Sequence, residues 1–246
     1  MKICLAQFRP AKGAINQNIE RHQRVLTTAI RSGADLIIFP ELSITGYEPT
    51  LAGQLACTVE DDRFTPFQTI ADNAGVTIGV GMPTKAANGV HISMLFFQPH
   101  RERSYYAKQR LHPDEIPYFV GGKQPPFLLE LEKKVAFGIC YETLQRAHFV
   151  HAAANGADLF IASVAKPDRG VDKAYVHFPT MAQEFNLPIL MVNSVGPSDD
   201  FVSNGKSAVW DTVGTQVAQL DDKNEGLLLY DTERAITTIV SLTDWL

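Results

Sequence analysis

Two kinds of apolar pattern alternate along the chain. Short runs in which nearly every residue is apolar, "ICLAQF" from residue 3, "DLIIF" from residue 35 and "VTIGVG" from residue 76, read as strands buried on both faces. Between them, over residues 16–32 and 61–74, apolar positions recur at helical spacing, which predicts amphipathic helices. From Val90 to Ala107 the pattern changes to consecutive strands, "VHISMLFFQ" and "RSYYA", and "PFLLELEKKVAFGI" reads as a hairpin. Alternation resumes with a helix over 142–155, "DLFIAS" from 158, a helix over 172–186 and "PILMVNS" from 188. "KSAVW", "TQVAQL" and "GLLLYD" then predict strands ahead of a short carboxy-terminal segment. Together these elements predict an α/β protein of mixed sheets covered by helices.

An internal echo sharpens the architecture. "SGADLIIFPE" at 32–41 and "NGADLFIAS" at 155–163 each end a helix on glycine and enter an apolar strand through Ala-Asp-Leu. Two similar halves stacked through their sheets would make a four-layer α-β-β-α sandwich. No Pro/Ser/Gly-rich tract divides the chain, so residues 1–246 read as a single domain, and 45% hydrophobic content suffices for its cores.

Charge and cysteine usage narrow the partners. Lys and Arg number 22 against 27 Asp and Glu, a net charge of −5 with no basic block, which argues against nucleic acid and anionic membrane surfaces. The first apolar run is interrupted at Arg9, too early for a signal peptide, and no run approaches the roughly 18 apolar residues of a membrane span. The chain reads as cytoplasmic, with a small molecule as its partner. Cys4, Cys57 and Cys140 are widely spaced and form no CxxC pair, against a disulfide framework or a thiolate metal site. Cys4 and Cys57 read as small hydrophobes.

Polar residues just beyond apolar strands are the candidates for chemistry, because ligands of open α/β sheets bind at those carboxyl ends. Glu41 follows "DLIIFP", Lys108 follows "RSYYA" and Cys140 follows "VAFGI". Each alone has a plain explanation, a solvated charge or a packing thiol; the combination has a chemical one. A thiol with a pKa of about 8.5 needs a base or a nearby cation to become a nucleophile. Glu41 can take the proton, while Lys108 favours the thiolate and can donate to an oxyanion. A helix starting near Glu142 would add its N–H groups and dipole at Cys140.

The segments "FPELSITGY" (39–47), "YYAKQRLHPDE" (105–115), "GICYE" (138–142), "VNSVG" (192–196) and "GKSAVWDTVG" (205–214) resemble, in order, the blocks of the nitrilase superfamily of carbon–nitrogen hydrolases. The resemblance implies an α-β-β-α sandwich that pairs into dimers or larger assemblies, and a cysteine hydrolase without metal or cofactor. Glu41 would be general base, Cys140 nucleophile and Lys108 oxyanion stabiliser. Glu115, followed by Phe119 and Gly121, matches the second glutamate that holds the lysine or orients substrate. Glu142 matches the acidic residue two places after the cysteine and reads as structural. Tyr47, His112, Ala165 and the backbone N–H near Tyr141 are expected to contact or support substrate.

Departures from the family pattern are equally specific. "TLQRAHFV" replaces the usual run after the cysteine block, and Ala165 and Lys166 stand where the family often carries tryptophan, implying a roomier or more polar pocket. Lys166 itself reads as a solvated surface lysine rather than as a contact to a substrate carboxylate. His148 and His151 share a helix face, as a metal pair or a rival base would, but no third ligand accompanies them and no HExxH, GxGxxG or P-loop pattern occurs. The expected reaction is hydrolysis of a small amide through a thioester, releasing ammonia and an acid. An N-carbamoyl compound or a nitrile is the alternative substrate. A binding protein that retains the sandwich, or a thiol redox sensor, is the alternative from another class.

Overall fold

The computed structural model describes residues 1–123 and 127–242. Pro126, which opens the expected hairpin, and residues 243–246 of the carboxy-terminal segment lie outside them. The first half runs β1 (Lys2–Gln7), α1 (Ile15–Arg31), β2 (Leu36–Ile38), α2 (Ala52–Leu55), α3 (Thr65–Ala74), β3 (Thr77–Ala86), β4 (Gly89–Phe97) and β5 (Ser104–Ala107). The second runs β6 (Leu128–Glu130), β7 (Lys134–Ile139), α4 (Arg146–Ala154), β8 (Leu159–Val164), α5 (Asp168–Phe185), β9 (Ile189–Asn193), β10 (Val195–Ser198), β11 (Phe201–Asn204), β12 (Ala208–Trp210), β13 (Gln216–Gln219), β14 (Gly226–Asp231) and β15 (Ile236–Ser241).

Two mixed sheets result. One has the order β15-β14-β1-β2-β3-β4-β5 and the other β13-β12-β9-β8-β7-β6, each with a parallel centre and antiparallel flanks. Successive side chains of a strand face opposite sides, so a strand covered on both sides must be apolar at every position. In β1, Ile3 and Leu5 enter the core between the sheets while Cys4 and Ala6 enter the core under α1 and α3. Ile38 and Phe96 meet Phe137, Ile161 and Leu190 between the sheets, and α4 and α5 cover the second sheet through Phe149 and Phe178, the latter against Trp210 of β12. The layers are therefore helix, sheet, sheet, helix.

The repeated Ala-Asp-Leu signature does the same job twice. Gly33 and Gly156 take left-handed φ values of 79° and 72° to end their helices. Asp35 N–H donates to the Lys2 carbonyl (2.8 Å) and its carboxylate accepts from Lys2 N–H (2.6 Å); Asp158 repeats both bonds with Lys134, at 2.8 and 2.7 Å. Each aspartate thus locks the start of one parallel strand to the start of its neighbour.

Three elements differ from expectation. The helix expected over 142–155 begins only at Arg146: residues 140–144 form a tight 3₁₀ turn and Gln145 is extended, at φ −102° and ψ 116°. The helix expected over 172–186 begins earlier, at Asp168, because Pro167 sets its entry. The short carboxy-terminal segment contains an edge strand, β15, antiparallel to β14; its alternation is weak because Ile236 and Ile239 face outward.

Candidate active site

The glutamate loop leaves the first sheet directly after β2. Phe39 N–H still pairs with the Gly79 carbonyl and Ile44 N–H with that of Gly81, so residues 40–43 lie flat across β3. A Cβ on Gly81 would come within 2.2 Å of Leu42 N and 2.5 Å of Pro40 O, so only glycine admits this approach. Beneath the loop, burial lowers the pKa of His22 to about 3 and keeps the ring neutral. Its Nδ1 faces the Asn18 carbonyl (2.6 Å) and must donate there, leaving Nε2 to accept from the Ser43 hydroxyl (3.0 Å). Ser43 Oγ in turn accepts from Gly81 N–H (3.2 Å), which pins the loop that carries Glu41.

Lys108 extends past β5, its N–H bonded to the Ile92 carbonyl and its carbonyl to Gly122 N–H, both at 2.8 Å. Its side chain is fully buried. Nζ donates to Glu41 Oε1 (2.8 Å) and to Glu115 Oε1 (2.6 Å). Glu115 also accepts from Tyr47 Oη (3.0 Å) and His112 N–H (2.7 Å), and Glu41 Oε2 accepts from Ala165 N–H (3.2 Å). Burial opposes the lysine's charge more than any other influence, yet Glu41 and Glu115 outweigh it and hold its pKa above the ordinary value. Burial raises the pKa of Glu41, Lys108 pulls it back and Glu115 raises it again; the net direction is upward.

Cys140 follows β7 with a left-handed φ of 48°, a conformation in which a non-glycine residue stores about 1–2 kcal/mol. The thiol lies 3.8 Å from the Ala165 carbonyl oxygen, and its interaction with the Glu41 carboxylate favours that group's charged form. Burial, seconded by Glu41, pushes its pKa up to about 11, while Lys166 and Lys108 pull the other way. The resting thiol is thus neutral. Because the helix starts at Arg146, the expected dipole at Cys140 is replaced by these side chains.

Glu142 holds the cysteine turn and the lysine loop together. One carboxylate oxygen accepts from Ile139 N–H (2.8 Å) and Tyr106 Oη (2.7 Å), the other from the N–H groups of Gln109 (2.8 Å) and Arg110 (3.2 Å). Glu142→Gln would turn an NH₂ group toward buried donors, so we expect a stability loss of roughly 2 kcal/mol, read in urea melts. His148 lies against Glu142 (3.6 Å), and with His151 it lines a small cavity beside Tyr106 and Phe137, apart from the site. Cys4 and Cys57 are buried under the first sheet's helices, so neither is placed to resolve an oxidised Cys140.

A pocket of about 260 Å³ opens over Cys140 and is lined by Tyr47, His112, Glu115, Tyr141 and Ala165, so every residue expected there is brought together. Glu41 and Lys108 form the buried layer behind it. Lys166 corrects the sequence reading: it is only 4% exposed, lines the pocket, and places Nζ 3.5 Å from the Cys140 carbonyl. Asn193, which the sequence reading did not single out, fixes it there. Its side chain accepts from Lys166 N–H (2.8 Å) and donates to the carbonyls of Lys166 (3.2 Å) and Gly205 (2.8 Å). Ser207 and Gln7 extend that support through buried bonds. The only advance signal was the placement of Asn193 in the "VNSVG" block.

Residues 2–238 match the carbon–nitrogen hydrolase family. The chain belongs to that family. Among solved structures, the NitN amidase from Nesterenkonia sp. AN1 is 26% identical, with a TM-score of 0.85 over 94% of this chain and 92% of that one. A variant of that amidase has been solved in complex with butyramide (25% identity, TM-score 0.84), and another with acrylamide added at the active-site cysteine. Among curated relatives, a probable nitrilase of Schizosaccharomyces pombe is 24% identical over 93% of this chain and 87% of its own length. A glutamine-dependent NAD(+) synthetase of Synechocystis sp. is also 24% identical, but the chain spans only 46% of that protein. The family match and the structural likeness to an amidase point the same way.

Proposed function

We propose that the protein hydrolyses a non-peptide carbon–nitrogen bond in a small amide, with Cys140 as nucleophile, Glu41 as base and Lys108 as oxyanion stabiliser. The observation that carries this reading is the buried Glu41–Lys108–Glu115 chain, whose Glu41 carboxylate lies beside the Cys140 thiol behind the pocket. As Cys140 Sγ attacks the amide carbonyl, its proton passes to Glu41 and a carbon–sulfur bond forms. Lys108 Nζ and the backbone N–H near Tyr141 receive the oxyanion. The tetrahedral species collapses, the carbon–nitrogen bond breaks, and Glu41 returns the proton to departing ammonia. Water then attacks the thioester, giving its proton to Glu41, and the acid leaves as the thiol is restored. Glu115, held by Tyr47 and His112 N–H, keeps Lys108 in place.

Ammonia release from short aliphatic amides tests the reading, together with intact-mass detection of an acyl group on Cys140. Equimolar carbon dioxide would identify an N-carbamoyl substrate instead, and turnover of nitriles alone would identify a nitrilase. Because Glu41 must be ionised and its pKa is raised, kcat/KM should fall as pH drops through a midpoint above the roughly 4.3 of a free glutamate. The plateau should reach toward pH 11, where the thiol itself ionises. An acid limb at or below the ordinary carboxylate value would count against Glu41 as the base.

A further inference from the structure

We propose that the amide substrate carries a carboxylate close to its reactive group and that Lys166 is the cation that receives it. The proposal rests on the amidase reading above and adds the substrate class. Lys166 follows Ala165, the residue whose N–H holds Glu41 and whose carbonyl meets the Cys140 thiol, so its position is tied to the reacting atoms. Its side chain is as enclosed as a core residue, lines the pocket and has no carboxylate at ion-pair distance among the described residues. Its ammonium makes one long contact, 3.5 Å, to the Cys140 carbonyl. Lys108, equally buried, has two carboxylates. A buried cation without a counter-ion costs free energy that an arriving anion offsets, since charge-assisted hydrogen bonds strengthen away from water.

The rest of the pocket has the same sign on that side. Arg169 and Lys173, on the first turns of α5, line its mouth, are exposed and make no ion pair among the described residues. Asp168 beside them is taken by Asn204 and Lys206. On the facing wall Asp114 is paired with His112, and Glu115 is occupied by Lys108, Tyr47 and His112 N–H. On the α5 side, then, Lys166, Arg169 and Lys173 are cations that make no ion pair among the described residues. A pocket of about 260 Å³ with Lys166 beside the backbone of the nucleophile leaves room for only a short spacer between the two groups. A monoamide of a small dicarboxylic acid has that form, and succinamic acid is the simplest probe.

Binding of succinamate, its neutral methyl ester and butyramide to Cys140→Ala protein, measured by calorimetry, reads the preference without chemistry. The expected result is succinamate bound at least about tenfold tighter than either neutral amide, in line with a charge-assisted contact to a buried cation. Lys166→Met in the same background should remove that preference, and Arg169→Gln with Lys173→Gln should reduce it if the Lys166 variant does not fold. Equal binding of the three amides in the Cys140→Ala protein overturns the proposal, whatever the wild type hydrolyses. If the preference is present but the wild type releases ammonia from none of the three, the amidase reading falls and the anion site stands.

Discussion

Lys108→Met should lose turnover by at least about 10³-fold and stability by about 3–5 kcal/mol at neutral pH. Methionine fills most of the space, so the effect is electrostatic: Glu41 and Glu115, each 1% exposed, would face each other without the ammonium that now bridges them at 2.8 and 2.6 Å. Two carboxylates in that position cannot both stay ionised, and one takes a proton. If Glu41 takes it, the base is gone; if Glu115 does, the oxyanion donor is still missing. The sign of the pH dependence follows. A buried carboxyl whose folded pKa is raised binds protons more readily folded than unfolded, so its penalty is full above the folded pKa and eases as pH falls through it. The stability gap between wild type and Lys108→Met, measured by urea melts, should therefore shrink in acid. Lys108→Met/Glu115→Gln should recover much of the stability and none of the turnover. A Lys108→Met protein as stable as wild type at neutral pH would mean that the ammonium is not the group holding the two carboxylates.

Glu41, Lys108 and Cys140 were legible because each stands just beyond an apolar strand, and strand ends survive in sequence as a break in hydrophobic pattern, whereas Glu115, in a loop, was found only through the family resemblance. The sandwich was legible for a related reason: strands apolar on both faces require cover on both sides, and the Ala-Asp-Leu echo marks two equivalent strand entries. Lys166 was not legible. A lysine between an apolar strand and a proline has the local appearance of a surface loop, and Asn193, 27 residues away in sequence, turns it inward through two hydrogen bonds to the Lys166 backbone and one to the Gly205 carbonyl. The late start of α4 was hidden likewise. "YETLQRAHFV" is helix-compatible throughout, but Glu142 spends its carboxylate on Ile139, Tyr106, Gln109 and Arg110, and the chain must turn tightly to let it do so. In both places contacts with residues distant in sequence decided a local conformation.

The turn at Cys140 makes the second large prediction, one whose sign is unusual. Cys140→Ala and Cys140→Gly should both abolish turnover, by roughly 10⁴–10⁶-fold as for other hydrolytic nucleophiles. Their stabilities should differ in the order opposite to that of an ordinary site. Where φ is negative, glycine is the less stable of the two because the unfolded chain gains freedom, by about 0.4–1 kcal/mol. At φ 48° an alanine Cβ meets the left-handed penalty of about 1–2 kcal/mol, which glycine escapes. The difference leaves Cys140→Gly more stable than Cys140→Ala by about 1 kcal/mol, a comparison in which the loss of the thiol is common to both. Chemical denaturation of the two variants gives the value directly. The strain has a functional reading: the left-handed turn lets Cys140 leave β7 and face Glu41 and Ala165, where Ile139 and Glu142 hold the backbone on either side. Alanine equal to or more stable than glycine would show that the turn relaxes without the thiol, and that the nucleophile's own contacts, rather than the fold, hold the backbone there.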